Sequence, residues 1–246
     1  MPVSDEVLDR ARKLSRPAVE AVLADSYPAV CRLSRALAGR EGAARQIMAG
    51  VMKRSVRVLP TWRSGSSPEN WFYHHTILAA RRSAGSPPTP REDLLSIAAG
   101  ADAPGDYVAF VLAIRKLVPQ QREAFILHYG ERLNERLLGV AMDCSAGAAS
   151  AHLNAAKEAI GAVAGQRGTA LTALFARAYA RLSPTQEAVI PLVRRPIRAA
   201  LWRRRLRRLV RRVIVLAILT ALAYAGWHWR AQLAGWVARA RHAEGK

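Results

Sequence analysis

The sequence predicts an all-α chain: two small helical domains followed by a C-terminal membrane helix. Three observations carry this. Apolar residues recur at three- and four-residue spacing, and Val, Ile and Thr form no alternating runs. A Pro-, Ser- and Gly-rich stretch divides the helical part near residues 85–105. An uncharged apolar run, Val213 to Trp229, follows ten arginines packed into Arg194–Arg212.

The elements follow in order. Val7, Leu14, Val19, Val22 and Leu23 mark one or two short amphipathic helices, and a further helix follows Tyr27 with Val30, Leu33, Leu37 and Ala38 on one face. Gly39 and Gly42 bracket a turn, and Ala43 to Leu59 forms a helix closed by Pro60. Ser67, Pro68 and Glu69 read as cap, first-turn proline and dipole-facing acid of a helix that runs to Arg82. This completes a first domain, 1–84; 85–105 reads as a flexible linker, and a second domain spans 106–164. In it Pro119 suits a first helical turn, Gly130 a stop, and Ser145 the cap of the last helix, while Leu138, Met142, Ala149 and Leu153 form its buried seam. Residues 165–212 read as a basic juxtamembrane segment, with Ser183 to Gln186 as a capping box around Pro184.

Charge is unevenly spread over the 246 residues. Residues 1–185 hold 24 basic against 16 acidic side chains, net +8, whereas 186–246 hold 14 against 2, net +12. Net charge therefore argues only weakly for nucleic-acid binding by the first three quarters. The apolar run 213–229 fits a single transmembrane helix of roughly 25 Å with an arginine collar on one side and Tyr224, Trp227 and Trp229 on the other. This implies residues 1–212 in the cytoplasm and 230–246 as a short extracytoplasmic tail. Two other placements fit as well: the segment lying flat on an anionic bilayer, or the run packing as a buried helix. Arg198–Arg212 also reads as a nucleic-acid arm.

Catalytic and metal patterns are missing. The chain has no Gly-rich phosphate loop, no HExxH and no carboxylate pair beside a histidine, so no enzyme and no cofactor is expected. His74 and His75 are adjacent and point about 100° apart on a helix, with no metal-ligand spacing to Cys or acid. Glu131 and Glu135, four apart, read as ordinary helix surface. Cys31 and Cys144 read as reduced buried thiols, and the polar N-terminus does not read as a signal peptide.

Over residues 20–163 the chain resembles the extracytoplasmic-function sigma factors of bacterial RNA polymerase. The similarity rests on "YPAVCRLSRALAG", on "VLPTWRSGSSPENWFYHHTILAARR" and on "LVPQQREAFILHYGERLNERLLGVAMDCSAGAASAHLNAAKEAI". It implies a promoter-melting region 2-like bundle, then a region 4-like helix-turn-helix, with core RNA polymerase and promoter DNA as partners. The DNA-contacting positions it implies are Ser150, His152, Asn154 and Lys157 on the reading helix, and Trp71, Tyr73, Arg81 and Arg82 on the melting helix. Trp71 and Tyr73 fit core packing first and base stacking second, and the two arginines fit phosphate contacts or a solvated face. Where the family carries an acidic polymerase-docking patch, this chain has Arg45, Gln46, Ala49 and Gly50. Together with the apolar run 213–229, the resemblance implies a sigma factor tethered to the inner membrane by lipid contacts, with an anti-sigma or protease regulator. The alternative is a degenerate sigma-like adaptor in a membrane complex that binds neither polymerase nor DNA.

Overall fold

The computed structural model describes residues 4–62, 68–83, 88–101 and 103–243. Among them there are helices and turns and no strand, as the spacing predicts. The chain divides into two compact units, Met1–Arg198 and Ala199–Lys246.

Unit one begins with α1 (Asp5–Arg12), capped by the Ser4 hydroxyl, and a left-handed Leu14 that turns the chain into α2 (Arg16–Ala38). The break expected before Tyr27 does not occur. Pro28 lies inside α2, where it deletes one helix hydrogen bond, but Val22, Leu23, Tyr27, Val30 and Cys31 around it are buried. Burial at 1.5–3 kcal/mol per large apolar side chain outweighs a kink of about 3 kcal/mol. Gly39 ends α2 at φ +70°, where a Cβ would strike the Pro88 ring at 2.6 Å. α3 (Glu41–Val58) runs into a short 3₁₀ turn, Leu59–Thr61, that holds Pro60. α4 (Pro68–Arg82) has the expected bounds; its expected cap, Ser67, lies outside the described residues.

The stretch 85–105, read from sequence as a flexible linker, carries α5 (Leu94–Ala99), with Leu95 and Ala99 buried. The buried Asp93 explains why. Its carboxylate accepts from Arg115 Nε at 2.6 Å and Nη2 at 3.0 Å and from the Leu95 amide at 2.9 Å, capping α5. Arg115 also donates to the Ala36 and Leu37 carbonyls that end α2. A buried ion pair this fully hydrogen-bonded is tolerated where a lone charge would not be, and it seats α5 and α6 (Gly105–Lys116) on α2.

α7 (Pro119–Glu131), α8 (Glu135–Met142) and α9 (Ala146–Ala164) follow. Gly130 does not stop α7; Arg132 does, in the left-handed region, while a Cβ at Gly130 would stand 2.9 Å from the Tyr179 ring. The segment 165–212 divides in two. α10 (Gly168–Arg181) belongs to the core through Leu171, Phe175, Ala178 and Tyr179. α11 (Gln186–Ala243) starts after Pro184 rather than at it, and Ser183 instead closes α10 and accepts from Arg32 Nη1 at 3.0 Å. Val189, Val193 and Ile197 bury the first turns of α11.

One core runs through this unit. Leu33, Ala36 and Leu37 of α2 and Tyr73 and Ile77 of α4 share a buried cluster with Tyr107, Phe110, Phe125, Phe175 and Tyr179. The helices expected as separate domains, 1–84 and 106–164, therefore pack around a common interior. Large aromatic side chains on α6, α7 and α10 need more apolar surface than three short helices offer, and α2 and α4 supply it.

Candidate nucleic-acid interface

The expected reading helix is α9. Asp143, left-handed at φ 59°, ends α8, and Ser145 starts α9 by accepting from the Ala148 amide at 3.1 Å. Gly139 makes the tight turn feasible: a Cβ there would stand 2.8 Å from the Cys144 carbonyl oxygen and 3.1 Å from the Ala146 nitrogen. Leu138, Met142, Ala149 and Leu153 form the buried seam, as the sequence predicts.

At 100° per residue, Gly147, Ser150, Ala151, Asn154, Lys157 and Glu158 fall within about 120° of arc. All are exposed except Ser150, which is half-buried. His152 points about 140° away from Gly147 and is half-buried, so it leaves the set that Ser150, Asn154 and Lys157 form. The arc is nearly neutral. Lys157 sits beside Glu158, and the Ser150 hydroxyl donates to Glu135 Oε1 at 2.9 Å. Such a face can bond to base edges through Asn154 and Lys157, but it gains little from phosphate attraction.

Sequence reasoning passed over Arg136, exposed in the first turn of α8 beside Glu135. Its signal was Asn134, which caps α8 by accepting from the Leu137 amide at 2.9 Å and so fixes which residues follow on that turn.

The four residues expected on α4 separate. Tyr73 is 7% exposed and its hydroxyl donates to Glu131 Oε2 at 3.1 Å, so its ring packs in the core. Arg81 is committed to the buried Glu123, donating from Nε at 2.8 Å and from Nη2. These hydrogen bonds hold its guanidinium above its usual pKa, outweighing burial. Arg82 is exposed. Trp71 is half-buried in an aromatic cluster with Trp62 at 5.3 Å, Phe72 at 5.2 Å and His75 at 4.1 Å between centroids. Burial first, then the charges of Arg54, His74 and Arg82, push the His75 pKa down to about 4. Trp71, Arg82 and Arg54 thus make a basic and aromatic corner that keeps an accessible edge.

Glu131 is no surface residue. Its side chain is 6% exposed and accepts from Arg32 Nε at 3.0 Å and Nη2 at 2.8 Å, from Tyr73 and from Tyr179 at 2.8 Å. Burial, followed by the adjacent Glu131 charge and its hydrogen bond, raises the pKa of both tyrosines, which stay neutral donors. One carboxylate so ties α2, α4 and α10 to α7.

On α3, Arg45, Gln46, Ala49 and Gly50 share an exposed face. Its acid, Glu41, is held by Arg35 at 3.0 Å and Arg45 at 3.0 Å, so the face presents no free carboxylate.

Unit two, taken alone, is helix. Leu209–Trp227 is 19 residues long with mean hydropathy 1.8 and none of it buried. Its length is about 28 Å, close to a bilayer core of ~30 Å. Val213, Leu216, Leu219 and Leu222 are all more than half exposed. The described residues thus hold one helix long and apolar enough to cross a membrane. It starts four residues earlier than the sequence run suggests and takes in Arg211 and Arg212.

No family model matches the chain, and no curated protein matches it.

Proposed function

We propose that this chain is a membrane-tethered sigma-like transcription factor. A region 2-like part engages core RNA polymerase and melts promoter DNA, and a region 4-like helix-turn-helix reads the upstream element. The observation that carries this reading is the Gly139 turn and Ser145 cap, which aim Ser150, Asn154 and Lys157 of α9 along one accessible arc. One lysine gives feeble binding alone, so polymerase supplies most of the grip on DNA. Leu209–Trp227 anchors the chain in the inner membrane, and the preceding arginines keep the helical body in the cytoplasm. Tethering restricts the factor until a protease cuts near the juxtamembrane segment, and an anti-sigma partner adds to the restraint.

The test is transcription by core enzyme from a promoter library, with the full chain in lipid nanodiscs. Start sites that need the chain, and that disappear with Asn154→Ala and Lys157→Ala, support the reading. A chain that neither binds core enzyme nor yields transcripts overturns it.

A second reading is an adaptor that keeps the fold without polymerase or DNA binding. The α3 face favours it, because reversed charge rejects a partner that expects acid there. Arg45→Glu with Gln46→Glu discriminates: polymerase binding gained only by this variant marks an eroded docking surface.

A further inference from the structure

Arg32 and Arg81 are presented by α2 and α4 to two carboxylates of one helix, α7, in forked hydrogen bonds. The pairs are asymmetric in access. Glu123 and Glu131 are 3% and 6% exposed, whereas Arg81 and Arg32 keep 34% and 22%. Water and solutes therefore reach the guanidinium side of each pair and not the carboxylate side. A guanidinium fork fits phosphate as it fits carboxylate. Tyr73, eight residues and about 12 Å before Arg81 on α4, is taken up by the same α7 carboxylate as Arg32. Arg81 is followed by the exposed Arg82, which shares a face of α4 with the half-buried indole of Trp71, about 16 Å away along the axis and about 80° round from Arg81. That combination of cations and an aromatic face suits a single strand, whose bases stack while its phosphates pair.

We propose that Arg32 and Arg81 are a phosphate-binding pair for single-stranded DNA, masked by Glu123 and Glu131 acting as built-in phosphate mimics. The site deepens the sigma-like reading and rests on it for its ligand. Strand binding requires α7 to release α4. The closed body lowers the apparent affinity by the fraction of time the clasp is open.

The experiment measures binding of a mixed-sequence single strand to the full chain in anionic-lipid nanodiscs, where every variant shares the same basic tail. Glu123→Gln with Glu131→Gln is expected to bind about tenfold more tightly or better, and to steepen the salt dependence by about 1.4 for two added phosphate contacts. Adding Arg32→Gln and Arg81→Gln removes the gain. Glu6→Gln with Asp9→Asn, the same change of net charge on exposed α1, leaves affinity within about threefold. Should the glutamine variant lose its helical dichroism, hydrogen exchange on the native chain decides. A saturating strand raises exchange in Glu123–Glu131, and unchanged exchange overturns the proposal. A folded glutamine variant with unchanged affinity, or a gain that survives loss of both arginines, also overturns it. Because no polymerase is present, the outcome separates from the transcription test. A gain without transcripts sinks the sigma-like reading alone, and transcripts without a gain sink the masking alone.

Discussion

Glu131→Ala removes one carboxylate and strands three donors: Arg32 from α2, Tyr73 from α4 and Tyr179 from α10. Breaking a buried ion pair costs 3–5 kcal/mol, because the remaining charge is left without compensation. The 22% exposure of Arg32 lets water recover part of that, which argues for the lower end of the range. The two tyrosine hydroxyls lose bonds to a charged acceptor, which moves the figure back up. The expected cost is about 4 kcal/mol, a large share of the 5–15 kcal/mol that holds an ordinary domain. By contrast the exposed Arg45–Glu41 pair is worth less than about 1 kcal/mol. Urea denaturation of the full chain in non-ionic detergent, followed by far-ultraviolet dichroism, measures the difference. A cycle of Arg32→Ala and Glu131→Ala isolates their coupling, expected near 2 kcal/mol. A Glu131→Ala cost below about 1 kcal/mol, with no coupling to Arg32, would refute the claim that this carboxylate fastens the helices.

Gly139→Ala should destabilise by about 1–3 kcal/mol, although alanine ordinarily favours a helix interior, because its Cβ meets turn backbone that cannot rotate away; equal or higher stability in the same urea assay would show the turn to be slack. His75 should titrate near pH 4 in a histidine NMR series. Since the unfolded chain protonates it near 6.5, stability should fall as the pH drops from there to about 4 and level off below; a slope unchanged in His75→Asn would disprove this. Leu216→Arg with Leu219→Arg, each costing about 3 kcal/mol at a bilayer centre, should move the chain out of the carbonate-washed membrane pellet; retention there would mean that Leu209–Trp227 does not span.

Much of the helical layout was legible because it is written locally. Pro68 and Arg82 bound α4, Pro119 opens α7, and Ser145 caps α9, each by chemistry confined to a single turn. What the sequence hid depends on distant partners. Pro28 signals a break, yet buried neighbours on both sides keep α2 whole. Asp93 looks like loop polarity until Arg115, twenty-two residues on, folds back to it. Glu131 looks like surface because its four hydrogen bonds come from three residues, Arg32, Tyr73 and Tyr179, which only the tertiary fold brings together. For the same reason Tyr73 and Arg81, DNA contacts by residue type, turn out to be engaged by carboxylates of α7, Tyr73 in the core and Arg81 at its edge. The α10 pattern of Leu171, Phe175, Ala178 and Tyr179 was readable by its spacing but lay in a stretch dominated by arginine further on.

A DNA-reading helix and a bilayer anchor in one chain would carry DNA into the membrane fraction, and DNA recovered by cross-linking from carbonate-washed membranes tests both halves together. Full-length protein should remain in the pellet and enrich upstream promoter DNA, and Asn154→Ala with Lys157→Ala should abolish the enrichment while the protein stays in place. Protein in the supernatant, or a pellet carrying the chain with no DNA above a mock sample, would contradict it.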